Sequence, residues 1–197
     1  MNPATPITLE LNGLRLEPLA QRHAAGLLAV VNDGHLWTLR VTSAPEPDQV
    51  ENYIATALGM YPARIAFAVI DSASGKVLGT TSYHDIVPAL DRVEIGYTFY
   101  ARSVQRSHVN TTCKLMLLRH AFDTLGCAVV GFRTDNFNHR SQAAIERLGA
   151  RRDGVLRHHA LRRDGTVRDT YIYSIVAGEW PEIQAHLEYK LAHPTPR

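Results

Sequence analysis

The sequence predicts a mixed α/β or α+β fold, and three features carry that prediction. Val93, Ile95, Tyr97 and Phe99 alternate strictly with Glu94, Gly96 and Thr98, the period of a strand with two distinct faces. Leu115, Leu118, Phe122 and Leu125 follow at helical spacing, and a short apolar run at 129–134 comes next. Residues 93–134 therefore read as strand–helix–strand, and a parallel strand pair is expected there. Asp164-Gly165 lies between extended runs at 154–161 and 167–176, a strong hairpin signal.

The remaining elements fall in order around these. Leu9, Leu11, Leu14 and Leu16 alternate about Asn12-Gly13, which suggests a bent first strand. Residues 20–31 are rich in Ala and Leu and read as a helix. Pro45-Glu46-Pro47-Asp48 stops the chain, and Asp48 with Glu51 resembles an N-cap pair for a helix carrying Val50, Ile54, Ala57, Leu58 and Tyr61. Strands at 65–71 and 77–83 flank a turn over 72–76. Gly126 ends the long helix. A helix over 141–148 puts Ala144, Ile145 and Leu148 inward, and a last helix begins at Pro181.

Composition narrows the function classes. The chain has 197 residues, 45% hydrophobic and 20% charged, so one domain over residues 1–197 is expected, with its core at about 7–191. Twenty-one basic against 19 acidic residues leave a formal charge of +2. No concentrated basic face of the nucleic-acid-binding kind is implied. Arg is dense from Arg151 to Arg168, which reads as a solvated hairpin. Cys113 and Cys127 form no metal or disulfide spacing, which fits a reducing cytoplasm. No apolar run reaches the roughly 20 residues that span a bilayer, and the first ten residues lack a signal-peptide layout, so no membrane association is expected. His158-His159 point to opposite strand faces and cannot chelate as a pair; no metal is expected.

Three stretches together resemble the GNAT N-acyltransferases, in the branch that includes the ribosomal-protein N-terminal acetyltransferases. They are Val93-Glu94-Ile95-Gly96-Tyr97-Thr98 with the loop after it; Thr134-Asp135-Asn136-Phe137-Asn138-His139-Arg140-Ser141 running into Ile145-Glu146-Arg147-Leu148-Gly149-Ala150; and the closing hairpin from Gly154 to Thr170 with Glu179-Trp180. The resemblance implies a central, mostly antiparallel sheet of about seven strands, with a splayed parallel pair and helices on both faces. It implies an N-acetyltransferase that carries acetyl from acetyl-CoA to a small-molecule or peptide amine by direct attack, without a metal. A homodimer is a further expectation from the resemblance alone. Transfer from another acyl-CoA, such as succinyl-CoA, or an acyl-CoA-binding module without turnover, are the alternatives.

The chemistry assigns candidates. The coenzyme's pyrophosphate needs free amides at a helix N-terminus. The family's loop reads Gln/Arg-x-x-Gly-x-Gly/Ala. Here Gln105, Arg106, Ser107, His108, Val109 and Asn110, followed by Thr111, occupy it, with His108 and Asn110 where small residues are usual. Gly permits positive φ and close phosphate approach, and His pays for both. Ile95, Gly96, Tyr97 and Thr98 would pair with the pantetheine arm, and the resemblance adds Asn136 and Asn138. Asn138 is equally suited to an N-cap.

Transfer also needs a neutral amine, hence a base, and Glu94 is the first candidate on a face that looks roomy. A charge-paired strand Glu is the alternative. Asp135 is a weaker second; His84 and His120 qualify by chemistry alone, His120 reading as a polar-face helix residue. Ser141 matches the hydroxyl that protonates the leaving thiolate; a backbone-bonded first-turn Ser is the alternative. Cys113 reads as packed. Trp37, Tyr83 and Tyr97 could line an acceptor pocket, and Trp180 could pack the hairpin on the last helix. Loops near 32–47 and 84–91 would choose the acceptor.

Overall fold

A computed structural model describes residues 1–193. Asn12 (φ 49°) and Gly13 (φ 74°) both take left-handed backbone, as a two-residue hairpin turn requires. The expected bent strand is therefore two: β1 (Leu9–Leu11) and β2 (Leu14–Pro18), paired antiparallel. α1 (Ala24–Asn32) and α2 (Val50–Gly59) follow. Asp48 does not cap α2. It sits inside a 3-10 turn, Pro47–Gln49; Gln49 holds the cap position and has no side-chain cap bond.

Six more strands, β3 (Arg64–Asp71), β4 (Val77–Val87), β5 (Arg92–Tyr100), β6 (Val129–Asp135), β7 (Arg151–Leu161) and β8 (Val167–Val176), complete one sheet. It has eight strands rather than about seven, in the order β1-β2-β3-β4-β5-β6-β8-β7. Only β5 and β6 are parallel, as the crossover through α3 (Val109–Arg119) requires. The helix α4 (His139–Glu146) begins two residues before its expected start, and α5 (Trp180–Ala192) ends the described chain.

Two buried layers cover the two faces. Leu16, Phe67, Tyr83, Val93, Ile95 and Phe132 pack under α3 and α5. Ala66, Ala68, Ile70 and Phe99 pack under α1 and α2 with Leu27, Val31 and Ile54. Each large side chain removed from water here stabilises the fold by roughly 1.5–3 kcal/mol.

The strict alternation expected along β5 breaks at Tyr97. Ser82 pairs with Gly96, yet Thr80 pairs with Phe99, so β5 holds one residue more than β4 in this interval. Tyr97, at φ 50°, absorbs it as a β-bulge. The phase then reverses: Thr98 and Tyr100 turn toward α3, and Phe99 toward α1 and α2. One other expectation shifts. His120 is buried in a π-helical turn, His120–Thr124, beside the Tyr83 hydroxyl at 3.3 Å. Trp180 packs on that turn, stacked on Phe122 and donating to Asp123, in the core cluster that also holds Tyr173 and Ile175 of β8.

Gly79 shows how close the bulged strands run. A Cβ there would lie 2.3 Å from the Phe99 carbonyl oxygen, a backbone atom that cannot move aside. Gly79→Ala is expected to cost at least the roughly 1–3 kcal/mol of core overpacking. Urea unfolding midpoints of the two proteins check this.

Candidate active site

The parallel ladder between β5 and β6 has three rungs, Arg92–Val129, Val93–Val130 and Glu94–Gly131, and then stops. Past it, β6 continues to Asp135 paired only with β8, and β5 continues to Tyr100 paired only with β4. The facing edges of Ile95–Tyr100 and Phe132–Asp135 are left without strand partners. This is the splayed pair, and it puts Ile95, Gly96, Tyr97 and Thr98 along one wall of a cleft. Thr98 is already engaged from below. It accepts from Lys114 Nζ at 2.9 Å, and Lys114 is buried with no carboxylate partner among the described residues. Burial pushes that ammonium down to about 8.

The face of β5 opposite α3 is not empty. Arg64, His84, Glu94 and Gly131 form one rung across four strands. A Cβ on Gly131 would sit 2.9 Å from Glu94 Cγ, and one on Gly96 would sit 2.3 Å from His84 Nε2. The two glycines thus make room for a carboxylate and an imidazole. The roomy face expected around Glu94 is filled: its side chain has no solvent exposure. Arg92 Nη2 and Arg133 Nη2 each donate to Oε1 at 2.8 Å, and Arg133 Nε lies 2.8 Å from Oε2 without hydrogen-bond geometry. Arg133 also pairs with Asp85. Glu94 is a charge-paired strand residue, the alternative weighed from sequence.

His84 sits beside this clamp. Its ring meets Tyr97 edge-on at 5.1 Å, and Nδ1 lies 3.6 Å from Asp85. Desolvation dominates over the Glu94 and Asp85 charges and lowers the imidazole below its ordinary range, so it is neutral near pH 7. His84, Asp85 and Glu94 stand close enough to share a cation, but Arg92 and Arg133 already bring two positive charges to the same carboxylates.

The loop into α3 differs from expectation in one useful respect. His108 has ordinary helical backbone, φ −65°, so its substitution for Gly carries no conformational cost. The left-handed residue is Arg106, at φ 59°. Gln105 ties the loop to the strand end by donating to the Tyr100 carbonyl at 3.0 Å. The Ser107 hydroxyl donates to the Val104 carbonyl and accepts from the Val109 amide. Thr112 makes the first helical bond, to His108. The amides of His108, Asn110 and Thr111 find no acceptor among the described residues.

At the far wall, Asn138 caps α4 by accepting from the Ser141 amide, and its amide group donates to the Val41 carbonyl. Both ends of its side chain are therefore used. Ser141 stands in the first turn, half-buried, and its hydroxyl makes no hydrogen bond among the described residues. Asn136 accepts from Arg162. Arg162 also grips Asp135 through two nitrogens at 2.7 and 3.2 Å; both side chains are over nine-tenths buried, so Asp135 is not free to act as a base. The hairpin is thus not simply solvated. Its tip is docked: Arg162 holds the end of β6, Arg163 donates to the carbonyls of Trp37 and Ala44, and Asp164 pairs with Arg40 at 2.6 Å. Strand β7 itself is mostly exposed.

Cys113 is fully buried, and desolvation pushes its thiol up to about 12, far from a nucleophile. Tyr83 belongs to the core, its hydroxyl spent on the Leu117 carbonyl. Arg64, Arg133 and Arg162 escaped the sequence reading, because an isolated Arg in a strand or turn carries no local signal of its partner. The one signal available was Gly131 opposite a charged residue.

Arg162→Ala would strand a buried carboxylate, and the expected loss is about 3–5 kcal/mol. Replacing Asp135 and Arg162 together by apolar residues is expected to cost less than that single change. Denaturant unfolding of the two variants checks the order.

Comparison with known proteins agrees with this geometry. The acetyltransferase (GNAT) domain profile matches residues 13–151. A GCN5-related N-acetyltransferase from Brucella melitensis superposes with TM-score 0.87 at 31% identity, covering 97% of this chain and 88% of that one. The uncharacterized N-acetyltransferase YoaA of Bacillus subtilis (strain 168) is 23% identical over 171 residues, 85% of this chain and 96% of YoaA. RimJ of Mycobacterium smegmatis, in complex with CoA-disulfide, shares the fold at TM-score 0.76 and 20% identity, with 98% of each chain covered. With a family match over most of its length, the chain belongs to the GNAT acetyltransferases, acyl-CoA-dependent N-acyltransferases.

Proposed function

We propose that this protein moves an acetyl group from acetyl-CoA to an amine, either a protein N-terminus or a small-molecule amine, by direct attack. The observation that carries it is the three-rung ladder: strands β5 and β6 part at Glu94 and Gly131, beside a bulge and in line with a helix start bearing free amides. An extended, amide-rich arm can complete the unpaired β5 edge at Ile95–Thr98, with its pyrophosphate at the amides of His108, Asn110 and Thr111. Arg106 and His108 add positive charge there. Gln105, Ser107 and Val109 hold the loop's shape. Asn136 and Asn138 act by fixing the opposite wall. The CoA-disulfide held by the RimJ neighbour is consistent with such a ligand.

For the chemistry, the amine nitrogen attacks the thioester carbonyl and the carbon–sulfur bond breaks. His84 takes the amine proton, because its imidazole is neutral and borders the cleft at Gly96. Glu94 would have to give up an ion pair to do the same, so its part is to position Arg133 and bias His84. Ser141, with an unengaged hydroxyl, relays a proton from solvent to the leaving thiolate, while His84 returns the amine proton to solvent, so coenzyme A leaves as the thiol.

Four outcomes are expected. Acetyl-CoA at 100 times its Kd should stabilise the fold by about 2.7 kcal/mol, a rise in Tm of roughly 5–11 °C by scanning fluorimetry. No shift at saturation would contradict the assignment. In a thiol-release assay, His84→Gln should lower kcat by about 10²–10⁴. The acidic limb of the pH–rate profile should lie below 6.5, since His84 is active only when unprotonated and burial lowers its pKa. Removing the Glu94 charge in Glu94→Gln should move that limb to still lower pH, because the carboxylate favours the imidazolium.

A further inference from the structure

Arg64 carries a charge that no carboxylate among the described residues balances. It lies at the start of β3, 3% exposed, with its guanidinium reaching across β4 to β5. Nε donates to Ser82 Oγ at 3.0 Å and Nη2 to the Tyr53 hydroxyl at 2.9 Å. The guanidinium carbon sits 3.8 Å from the centre of the Tyr97 ring, the bulge residue, and 5.3 Å from that of Tyr53. All of these partners are neutral. Nη1 has no acceptor within the described residues, and it is not among the atoms sealed from solvent. A cation held at this depth normally has an anion.

The surroundings do not supply one. Glu94 on this rung and Asp85 next to His84 are the nearby carboxylates, and both are paired with Arg92 or Arg133. Arg64, Arg92 and Arg133 thus face two carboxylates, one positive charge in excess. Lys114 adds a second from the other side of the bulge. The coenzyme's pyrophosphate does not answer this charge. Its loop begins beyond Ala101, roughly 13 Å along β5 from Tyr97 at the usual rise per residue.

We infer that Arg64 binds a carboxylate carried by one of the two reactants, close to the reacting carbonyl: an acceptor that is a free amino acid, or an acyl group that ends in a carboxylate. The inference rests on the acyl-transfer reading of the cleft and sharpens its substrate class. Nη1 offers a charge-assisted bond to one carboxylate oxygen, while Tyr97 and Tyr53 keep the guanidinium flat and its position fixed. A ligand lacking the carboxylate leaves that cation unmatched.

The test has two arms in the thiol-release assay. With acetyl-CoA, free amino acids are compared with their amides, which lack the carboxylate. With amino-acid amides as acceptors, succinyl-CoA is compared with acetyl-CoA. A preference of about tenfold or more in kcat/KM in either arm, abolished in Arg64→Gln, supports the inference, and the arm that shows it names the reactant. Arg64→Lys, which keeps charge but not the planar fork, is expected to retain part of the preference. A damaged fold would instead lower both members of a pair alike, and Tm measured on each variant checks for it. Independently of turnover, free succinate or an N-acetyl amino acid should raise the Tm of the wild type and not of Arg64→Gln. If the enzyme transfers acyl groups with no such preference in either arm, or with a preference that Arg64→Gln keeps, the inference is overturned and the acyl-transfer reading stands. If no acceptor yields thiol with either donor, both fall.

Discussion

The structure turns on the parting of two parallel strands. Three rungs hold β5 to β6, and the third places Glu94 over Gly131. Nothing larger than glycine would let the carboxylate lie across the neighbouring strand, and without the carboxylate Arg92 and Arg133 would crowd three positive charges, Arg64 included, onto one face. The clamp fixes where pairing ends. The bulge at Tyr97, three residues on, then bends β5 away and reverses its faces, so the free edge runs toward the start of α3. The cleft of this chain is, on this account, a sheet defect held open by an ion cluster rather than a pocket carved into a core.

Much of the fold was legible because its signals are local. An apolar run found β3, an extended pattern after its turn found β4, alternation found β5, helical spacing found α2 and α3, Asp-Gly found the hairpin, and the order of elements carried the family. What was misread depended on partners distant in sequence. The bulge breaks the alternation of Val93 to Phe99 only because β4 has one residue fewer in that interval, which β5 cannot disclose. The Asn12-Gly13 bend became a second strand because both residues adopt left-handed backbone. Asp48 lost its cap role to a 3-10 turn that the two prolines around Glu46 favour.

The site shows the same division. Its backbone part, Ile95 to Thr98 and the loop from Gln105 to Thr111, follows from motif and spacing, and His108 proves harmless because the left-handed position falls on Arg106. Its side-chain part does not. Glu94 looked accessible because a strand's faces can be read from its own sequence, whereas the filling of a face is decided by adjacent strands: His84 from β4 and Arg133 from β6. Asp135 and the arginine-dense hairpin were each read alone, and their pairing through Arg162 joins a sheet end to a hairpin tip 27 residues later. That contact, with those of Arg163 to Trp37 and Ala44 and of Arg40 to Asp164, ties the hairpin tip to the end of β6 and to the loop at 32–47.

The central claim is that the unpaired edge of β5 receives the coenzyme's arm as an added strand. A crystal structure with coenzyme A bound tests it most directly. The account predicts main-chain hydrogen bonds between the pantetheine amides and the segment Ile95–Thr98, with the pyrophosphate against the amides that open α3. Coenzyme bound anywhere else, with β5 and β6 zipped together beyond Gly131, would contradict it.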